Sequence, residues 1–332
     1  MSKVDVLFLS KEDVIACAPN ARETREIIED VFRAHVEERV VMPTKSFVKP
    51  PLKYKGYWIA MPSFIETSDG GIGGIKWLSS YLENYTKFNL PTIVATIILN
   101  DPTTGFPISI MDGTYITGMR TAAAVANGVR LLARLDSKTV AIIGNSVQAK
   151  FIIAAITEAI TIRRIIAYDI NEMIANRFIS EMSSKVGIQI EKAQSYYDAV
   201  RDADIIVNAT RAKEPFFKGE WCKPGMLVVS ISSMPEFMPD VLDYTDKIVV
   251  DDWKGCKHSG SLRPFADQEL LTKVYAEIGE IVVGHKPGRE KENEMIIYVP
   301  MGLGSEDIAI AHRVYKNAIS LGRGITLTLC ET

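Results

Sequence analysis

Three textures follow one another along the chain. Between residues 22 and 38, apolar side chains recur at intervals of three and four: Ile27 and Ile28, Val31 and Phe32, then His35 and Val36. That spacing predicts an amphipathic helix with one buried stripe. His35 falls on the stripe and reads as a packed side chain rather than a ligand. Short strand-like runs follow, broken by Pro and Gly: Tyr57–Met61, Gly74–Leu78, Thr92–Leu99 and Ile108–Met111. Turn signals stand at Asp69-Gly70-Gly71 and Asp101-Pro102. This part reads as β-rich and mixed.

From about Leu131 the pattern becomes an alternation of apolar runs and helical stretches. Thr139–Ile143, Arg164–Tyr168, Asp204–Ala209, Gly225–Ile231 and Lys247–Val250 read as buried strands. Val147–Ile160 is Ala-rich and helical, and Asn171 stands where a helix running through Ser184 needs its N-cap. Strand–helix alternation at this spacing predicts a parallel, doubly wound α/β sheet. The tail returns to a helix, Glu306–Leu321, so the first domain is expected to be discontinuous: residues 1–130 plus 303–332 around an insert of 131–302. The charged run 288–295 reads as a solvated loop. Glu306 and Asp307 read as acids complementing a helix dipole.

Length and composition fit two soluble globular domains: 332 residues, 47% hydrophobic and 24% charged. With 38 basic against 41 acidic residues, the net charge of −3 gives no electrostatic case for nucleic acid or an anionic membrane as partner. No apolar run approaches the about 18 residues of a membrane span. The N-terminus meets Asp5, Lys11 and Glu12 too early for a signal-peptide core, so the cytosol is the expected compartment. The four cysteines and four histidines are scattered, with no metal-ligand spacing, and no metal is expected. Cys256 and His258 lie near one another, but no third group is visible to orient a nucleophile, and they read as loop packing.

The first candidate motif is Gly144-Asn145-Ser146-Val147-Gln148-Ala149, between a strand and a helix. Gly144 and Ala149 fit the first and third positions of the dinucleotide turn G-x-G-x-x-G/A, and Ser146 replaces the second glycine. Asp169 ends the next strand 25 residues after Gly144, where an acid accepts from the adenosine ribose. With no arginine directly after it, Asp169 favours NAD over NADP. The second constellation is basic: Lys45, Lys76 and Arg120, cations suited to the carboxylates of an amino-acid-like substrate. Arg120 stands at the expected start of an Ala-rich helix, where Thr121 could donate to a cofactor phosphate.

GIKW around Lys76, Asp101-Pro-Thr-Thr-Gly-Phe-Pro, Met111-Asp112-Gly113, Met119-Arg120-Thr-Ala-Ala and Gly302-x-x-x-Glu306-Asp307-Ile308-Ala309 together resemble the ornithine cyclodeaminase/mu-crystallin family. The resemblance covers nearly the whole chain. It implies a Rossmann domain inserted in a discontinuous α/β substrate-binding domain that also forms a homodimer. It implies catalytic, substrate-facing roles for Lys76 and Arg120, and carboxylate binding by Lys45. It also implies contact with the nicotinamide end of the cofactor by Asn208, Ala209, Thr210, Ile231 and Ser232. True cyclodeaminases carry a catalytic aspartate just after the fifth strand of that domain. The corresponding segment here, Ile231-Ser232-Ser233-Met234-Pro235, has no carboxylate, and Glu236 and Asp240 read as out of register.

Asp251-Asp252-Trp253-x-x-Cys256, Pro287-Gly288-Arg289-Glu290 and Ile59-Ala60-Met61-Pro62-Ser63 resemble one branch in particular. That branch comprises the N-(2-amino-2-carboxyethyl)-L-glutamate dehydrogenases, which supply 2,3-diaminopropionate for siderophores and peptide natural products. It implies NAD-dependent oxidation of an N-linked amino-acid conjugate, with Met61 and Tyr81 beside the substrate. Tyr81 stands where that branch is expected to carry a basic residue. The alternatives are an imine reductase, another amino-acid dehydrogenase or a cyclodeaminase of the same family, and a crystallin-like protein that binds cofactor without turnover.

Overall fold

The computed structural model describes residues 3–68, 70–266 and 273–331; Asp69 of the first turn signal lies outside them. The chain divides into two compact units, Met1–Arg120 with Leu303–Thr332, and Thr121–Gly302.

The first unit is built on a mixed eight-stranded sheet. In spatial order its strands are Ile325–Glu331, Lys3–Leu9, Pro107–Asp112, Ile93–Asn100, Gly70–Tyr81 and Gly56–Thr67, and the last of these also pairs with Val40–Val41 and Ser46–Val48. Lys3–Leu9 runs parallel to Pro107–Asp112, and the other neighbours are antiparallel. The predicted amphipathic helix is Ala21–Val36, with Ile28, Val31 and Phe32 buried as its periodicity requires. The closing helix Gly304–Leu321 packs on strands Gly56–Thr67, Gly70–Tyr81 and Ile93–Asn100. Gly74 permits that approach: a Cβ there would stand 2.9 Å from Ile308 and 2.4 Å from the Ile98 carbonyl oxygen. The runs read as strands are all present. The edge strand Ile325–Glu331 escaped that reading because each of its residues is solvent-exposed, so its alternation marks no core face.

The second unit is an all-parallel eight-stranded sheet of the Rossmann type. Its spatial order is Ile190–Lys192, Arg164–Tyr168, Thr139–Ile143, Ile205–Asn208, Leu227–Ser230, Ile296–Val299, Lys247–Val250 and Val274–Glu277. Strand order reverses between Thr139–Ile143 and Ile205–Asn208, the place where ligands of such sheets bind beyond the strand carboxyl ends. Asn171 caps helix Glu172–Val186 as expected, accepting from the Met173 and Ile174 amides.

The solvated-loop reading of 288–295 holds for the exposed Glu290, Lys291, Glu292 and Asn293 but not for the ends of the segment. Arg289 donates through Nε to the Leu132 carbonyl at 2.8 Å and through Nη1 to the Glu294 carbonyl at 2.5 Å. Lys247 is paired with Glu290 and Glu294. The charges stitch the loop onto the sheet because they satisfy backbone carbonyls that the hydrophobic pattern does not reveal. Among the described residues no helix is long and apolar enough to cross a membrane.

Candidate active site

In the first unit the chemistry gathers on the covered face of the sheet. Lys76 sits mid-strand, directly opposite Met61 on one side and Ile97 on the other. All three side chains are buried, and Lys76 is 0% exposed. Its Nζ donates to Asp307 Oδ2 at 2.5 Å. Arg120 donates through Nη1 to Glu306 Oε2 at 3.0 Å and through Nε to Asp307 Oδ1 at 3.3 Å. Two cations therefore face two carboxylates, and both acids are fully buried. Complementing a helix dipole does not account for them. They stand in the first turn of Gly304–Leu321, which aims them into the sheet rather than at water. Gly304 lets the turn come close, since a Cβ there would lie 3.1 Å from the Met61 carbonyl oxygen.

Burial drives the Lys76 ammonium down to about 7, against the pull of Asp307, with Arg120 and Lys45 adding to the fall. Lys45, half-buried, is thus close enough to act on Lys76 electrostatically. The structure brings Lys45, Met61, Lys76 and Arg120 together, with Glu306 and Asp307 as partners the sequence reading left aside. It does not bring Tyr81 to them. Strand alternation puts Tyr81 on the opposite face, where its ring lies 5.3 Å from that of Trp58 and would fill the space of a Gly56 Cβ.

The helix-start reading of Arg120 and Thr121 is corrected as well. That helix begins at Thr114, and Asp112 accepts from the Tyr115 amide at its entry. Thr121 is therefore two turns inside, and its amide is not a terminal donor.

In the second unit the glycine turn has the expected form. Gly144 adopts φ +83°, and a Cβ on it would meet the Ala209 carbonyl oxygen at 2.6 Å and Thr210 Cα at 3.2 Å. Position 146 is extended (φ −77°, ψ −167°), so serine stands there without backbone strain. Ser146 is the N-cap of helix Val147–Ala159 yet makes no side-chain cap bond, leaving the first-turn amides without a side-chain cap. Val147 is exposed, Gln148 half-buried, and Ala149 fully buried where the third glycine-like position packs. The Asn145 amide donates to Asp169 Oδ2 at 2.8 Å, so the acid and the turn adjoin.

At the next strand end, Asn208 is fully buried. Its Oδ1 accepts from the Tyr196 hydroxyl at 2.9 Å, and its side chain stands against the carboxyl of Glu236. Ile231 is half-buried, and the buried Ser232 accepts from the Met234 amide. A helix start without a side-chain cap and a glycine cradle closed to any Cβ fit an anionic dinucleotide at this edge.

Sequence reasoning missed Glu236. It is fully buried, and its carboxyl accepts from Thr210 Oγ1 and from Ser230 Oγ, each at 2.7 Å. Burial raises it to about 7 in spite of these hydroxyls. Its offset from the aspartate position hid it, since a loop can return a side chain beneath a strand end. Cys256 points to Asp251 Oδ1 and the Val299 carbonyl, each at 3.5 Å, in keeping with packing. His35 bonds Ser305 Oγ at 2.8 Å. Among the described residues no group of His, Cys, Asp and Glu could hold a metal ion.

A Rossmann-type unit with a dinucleotide turn, in a chain whose other unit carries a buried lysine–arginine–carboxylate cluster, defines a class of nucleotide-dependent α/β proteins. The chain belongs to the ornithine cyclodeaminase/mu-crystallin family, whose model matches residues 5–322. It is 33% identical over 328 residues to the alanine dehydrogenase of Archaeoglobus fulgidus, covering 97% of this chain and 98% of that protein. It is 29% identical over 335 residues to the N-((2S)-2-amino-2-carboxyethyl)-L-glutamate dehydrogenase of Staphylococcus aureus, covering 98% and 99%. The structure of Thermococcus litoralis Δ1-pyrroline-2-carboxylate reductase with NADH and L-proline superposes with a TM-score of 0.89 at 33% identity, over 96% of this chain and 99% of that one. An archaeal alanine dehydrogenase dimer with bound NAD gives 0.90 at 32% identity, over 98% and 100%.

Proposed function

We propose that this protein is an NAD-dependent oxidoreductase that interconverts an α-amino acid and its α-imine, in the manner of an amino-acid dehydrogenase or imine reductase. One observation carries the reading. Lys76 is wholly buried, hydrogen-bonded to Asp307 and poised near neutrality beside Arg120. Such an amine can give and take a proton at the pH where the reaction runs, which a fixed surface cation cannot. The relatives point the same way: an alanine dehydrogenase and a pyrroline-2-carboxylate reductase stand at 33% identity.

Bound NAD+ supplies the hydride acceptor. Arg120 and Lys45 hold the substrate carboxylate, with Glu306 and Asp307 fixing the guanidinium in one orientation. In the oxidative direction Lys76 accepts the proton released as the amine becomes an imine. In the reductive direction it returns that proton to nitrogen. Gly144, Asn145, Ser146, Val147 and Gln148 form the pyrophosphate turn, and Asp169 accepts from the adenosine ribose. Asn208, Ala209, Thr210, Ile231 and Ser232 line the nicotinamide end. The absence of a carboxylate over 231–235 disfavours cyclodeamination.

A second reading narrows the substrate to N-(2-amino-2-carboxyethyl)-L-glutamate, supported by a relative of that activity at 29% identity. Tyr81, packed on the face away from Lys76, weighs neither for nor against it. A homodimer is supported by the dimeric relative and by exposed Trp77, Phe47 and Val94 on the first unit's sheet.

The test is NADH absorbance with NAD+ and, separately, L-alanine, L-proline, L-ornithine and the glutamate conjugate. Signal with alanine or proline is the expected outcome. Signal with the conjugate alone, with 2-oxoglutarate released, establishes the second reading. Tight NADH binding without turnover of any amine or imine overturns the enzyme reading.

A further inference from the structure

The second unit holds a buried acid that the reaction proposed above does not use. Glu236 is 0% exposed, and the side chains that hold it are Thr210, Ser230, Ser232 and Asn208 rather than a Lys, Arg or His. A buried carboxyl without a counter-charge is costly to keep unless it serves a purpose. Its partners are instead uncharged, a line of hydroxyls with the Asn208 side chain beside them. Ser261 Oγ donates to Ser230 Oγ at 2.9 Å, Ser230 Oγ donates to Glu236 Oε2, and Thr210 Oγ1 donates to Glu236 Oε1. The backbone around it is pinned too, for the Phe216 and Phe217 amides both donate to the Glu236 carbonyl at 2.9 Å.

These hydroxyls are not scattered. Ser230 ends one parallel strand, and Thr210 lies two residues beyond Asn208, the paired end of its neighbour. Thr210 Cα abuts the space of a Gly144 Cβ. Beside them the fully buried Asn208 side chain also favours the ionised Glu236 carboxyl. We infer that Glu236 is a positioning residue for the nicotinamide cofactor: its carboxyl ties Thr210 and Ser230 together beneath the strand ends and so holds Thr210 against the glycine turn. The inference rests on the reading of this unit as the NAD(H) site.

The arrangement carries its own pH dependence. Ionised, Glu236 accepts from both hydroxyls and locks Thr210 inward. Protonated, it must donate to one of them, and that hydroxyl turns its own proton elsewhere. Tyr196 faces it, and burial holds that phenol well above its ordinary range, so it stays neutral throughout. Near neutrality the population of the two arrangements therefore changes with Glu236 alone.

The experiment is calorimetric titration of the full-length protein with NADH at about pH 6 and about pH 8, for wild type, Glu236→Gln and Thr210→Val. The expected result is a wild-type Kd that changes between the two pH values. In Glu236→Gln the Kd should be about tenfold weaker and the same at both, and Thr210→Val should weaken in the same direction. The KM for NAD should rise while the KM for the amine stays, a split that general loss of structure does not produce. If Glu236→Gln fails to fold, Thr210→Val and Ser261→Ala carry the same test. Variants that bind NADH as wild type does at both pH values overturn the inference. A wild type that does not bind NADH overturns the cofactor reading, and the inference with it.

Discussion

The two units bury charge in opposite ways. In the first, Lys76 is sunk between Met61 and Ile97, Arg120 is buried too, and two carboxylates from one helix turn neutralise them. In the second, Glu236 is sunk equally deep with hydroxyls for company. Burial pulls each group toward its neutral form, the lysine downward and the glutamate upward, and both arrive near 7. The routes differ in what a mutation leaves behind. Removing one member of the ionic cluster strands an opposite charge; removing the glutamate strands only uncharged donors. Depth of burial alone therefore does not set the cost of a change.

The largest effect expected is on turnover. Lys76→Met keeps the buried volume and removes the proposed proton carrier, and kcat should fall by about 10²–10⁴ with NADH affinity unchanged. A variant with near wild-type kcat would remove Lys76 from the chemistry. The pH profile sharpens the point. Lys76 is neutral above about 7, so amine oxidation should rise with pH through that value and imine reduction should fall. Asp307 favours the ammonium form, so Asp307→Asn should move both profiles to lower pH. The same variant leaves Lys76 and Arg120 against one remaining carboxylate and should lose about 3–5 kcal/mol of stability by denaturant titration.

Glu236 comes next and has the opposite pH signature. Its folded value of about 7 lies above the ordinary 4.5, so the native state holds this proton more tightly than the unfolded chain does. The stabilisation is complete below about 4.5 and lost as pH rises through about 7, a fall of roughly 3 kcal/mol. Glu236→Gln should remove that slope. Unfolding curves at several pH values decide the matter, and an unchanged slope in the variant would assign the titration to another group.

How much of this was legible in the sequence varies with the kind of signal. The sheet strands of the second unit were readable because Thr139–Ile143 and Arg164–Tyr168 are apolar on both faces, and Gly144 because only a turn with positive φ explains it. Lys76 was readable as a lone cation on an apolar strand. Its partner Asp307 was not, since 231 residues separate them and acids in a first turn have a sufficient local explanation. Thr121 was misplaced because the helix starts early, at an Asp112 cap that no hydrophobic period announces. Tyr81 was placed by resemblance where strand parity sends it to the other face. Glu236 stood near the aspartate position but out of register, and its hydroxyl partners at 210 and 230 are ordinary residues until the strand ends are set side by side.

The smallest expected effect supplies the control for the comparison. Arg164 and Glu191 stand on neighbouring parallel strands of the second unit and meet in a bidentate pair, with Nε to Oε1 at 2.9 Å and Nη2 to Oε2 at 2.7 Å. By geometry this pair is better aligned than Arg120 with Asp307. Its side chains are 41% and 46% exposed, however, so water solvates the charges whether or not they pair. Salt screens what attraction remains, and ordering two long side chains offsets part of it. A double-mutant cycle with Arg164→Met and Glu191→Gln should give a coupling of about 0–1 kcal/mol, shrinking further at high salt. The same cycle on Arg120 and Glu306 should give several-fold more and barely respond to salt, because no ions reach it. Equal couplings at the two places would mean that alignment, not burial, governs charge in this protein, and the contrast between its two units would lose its basis.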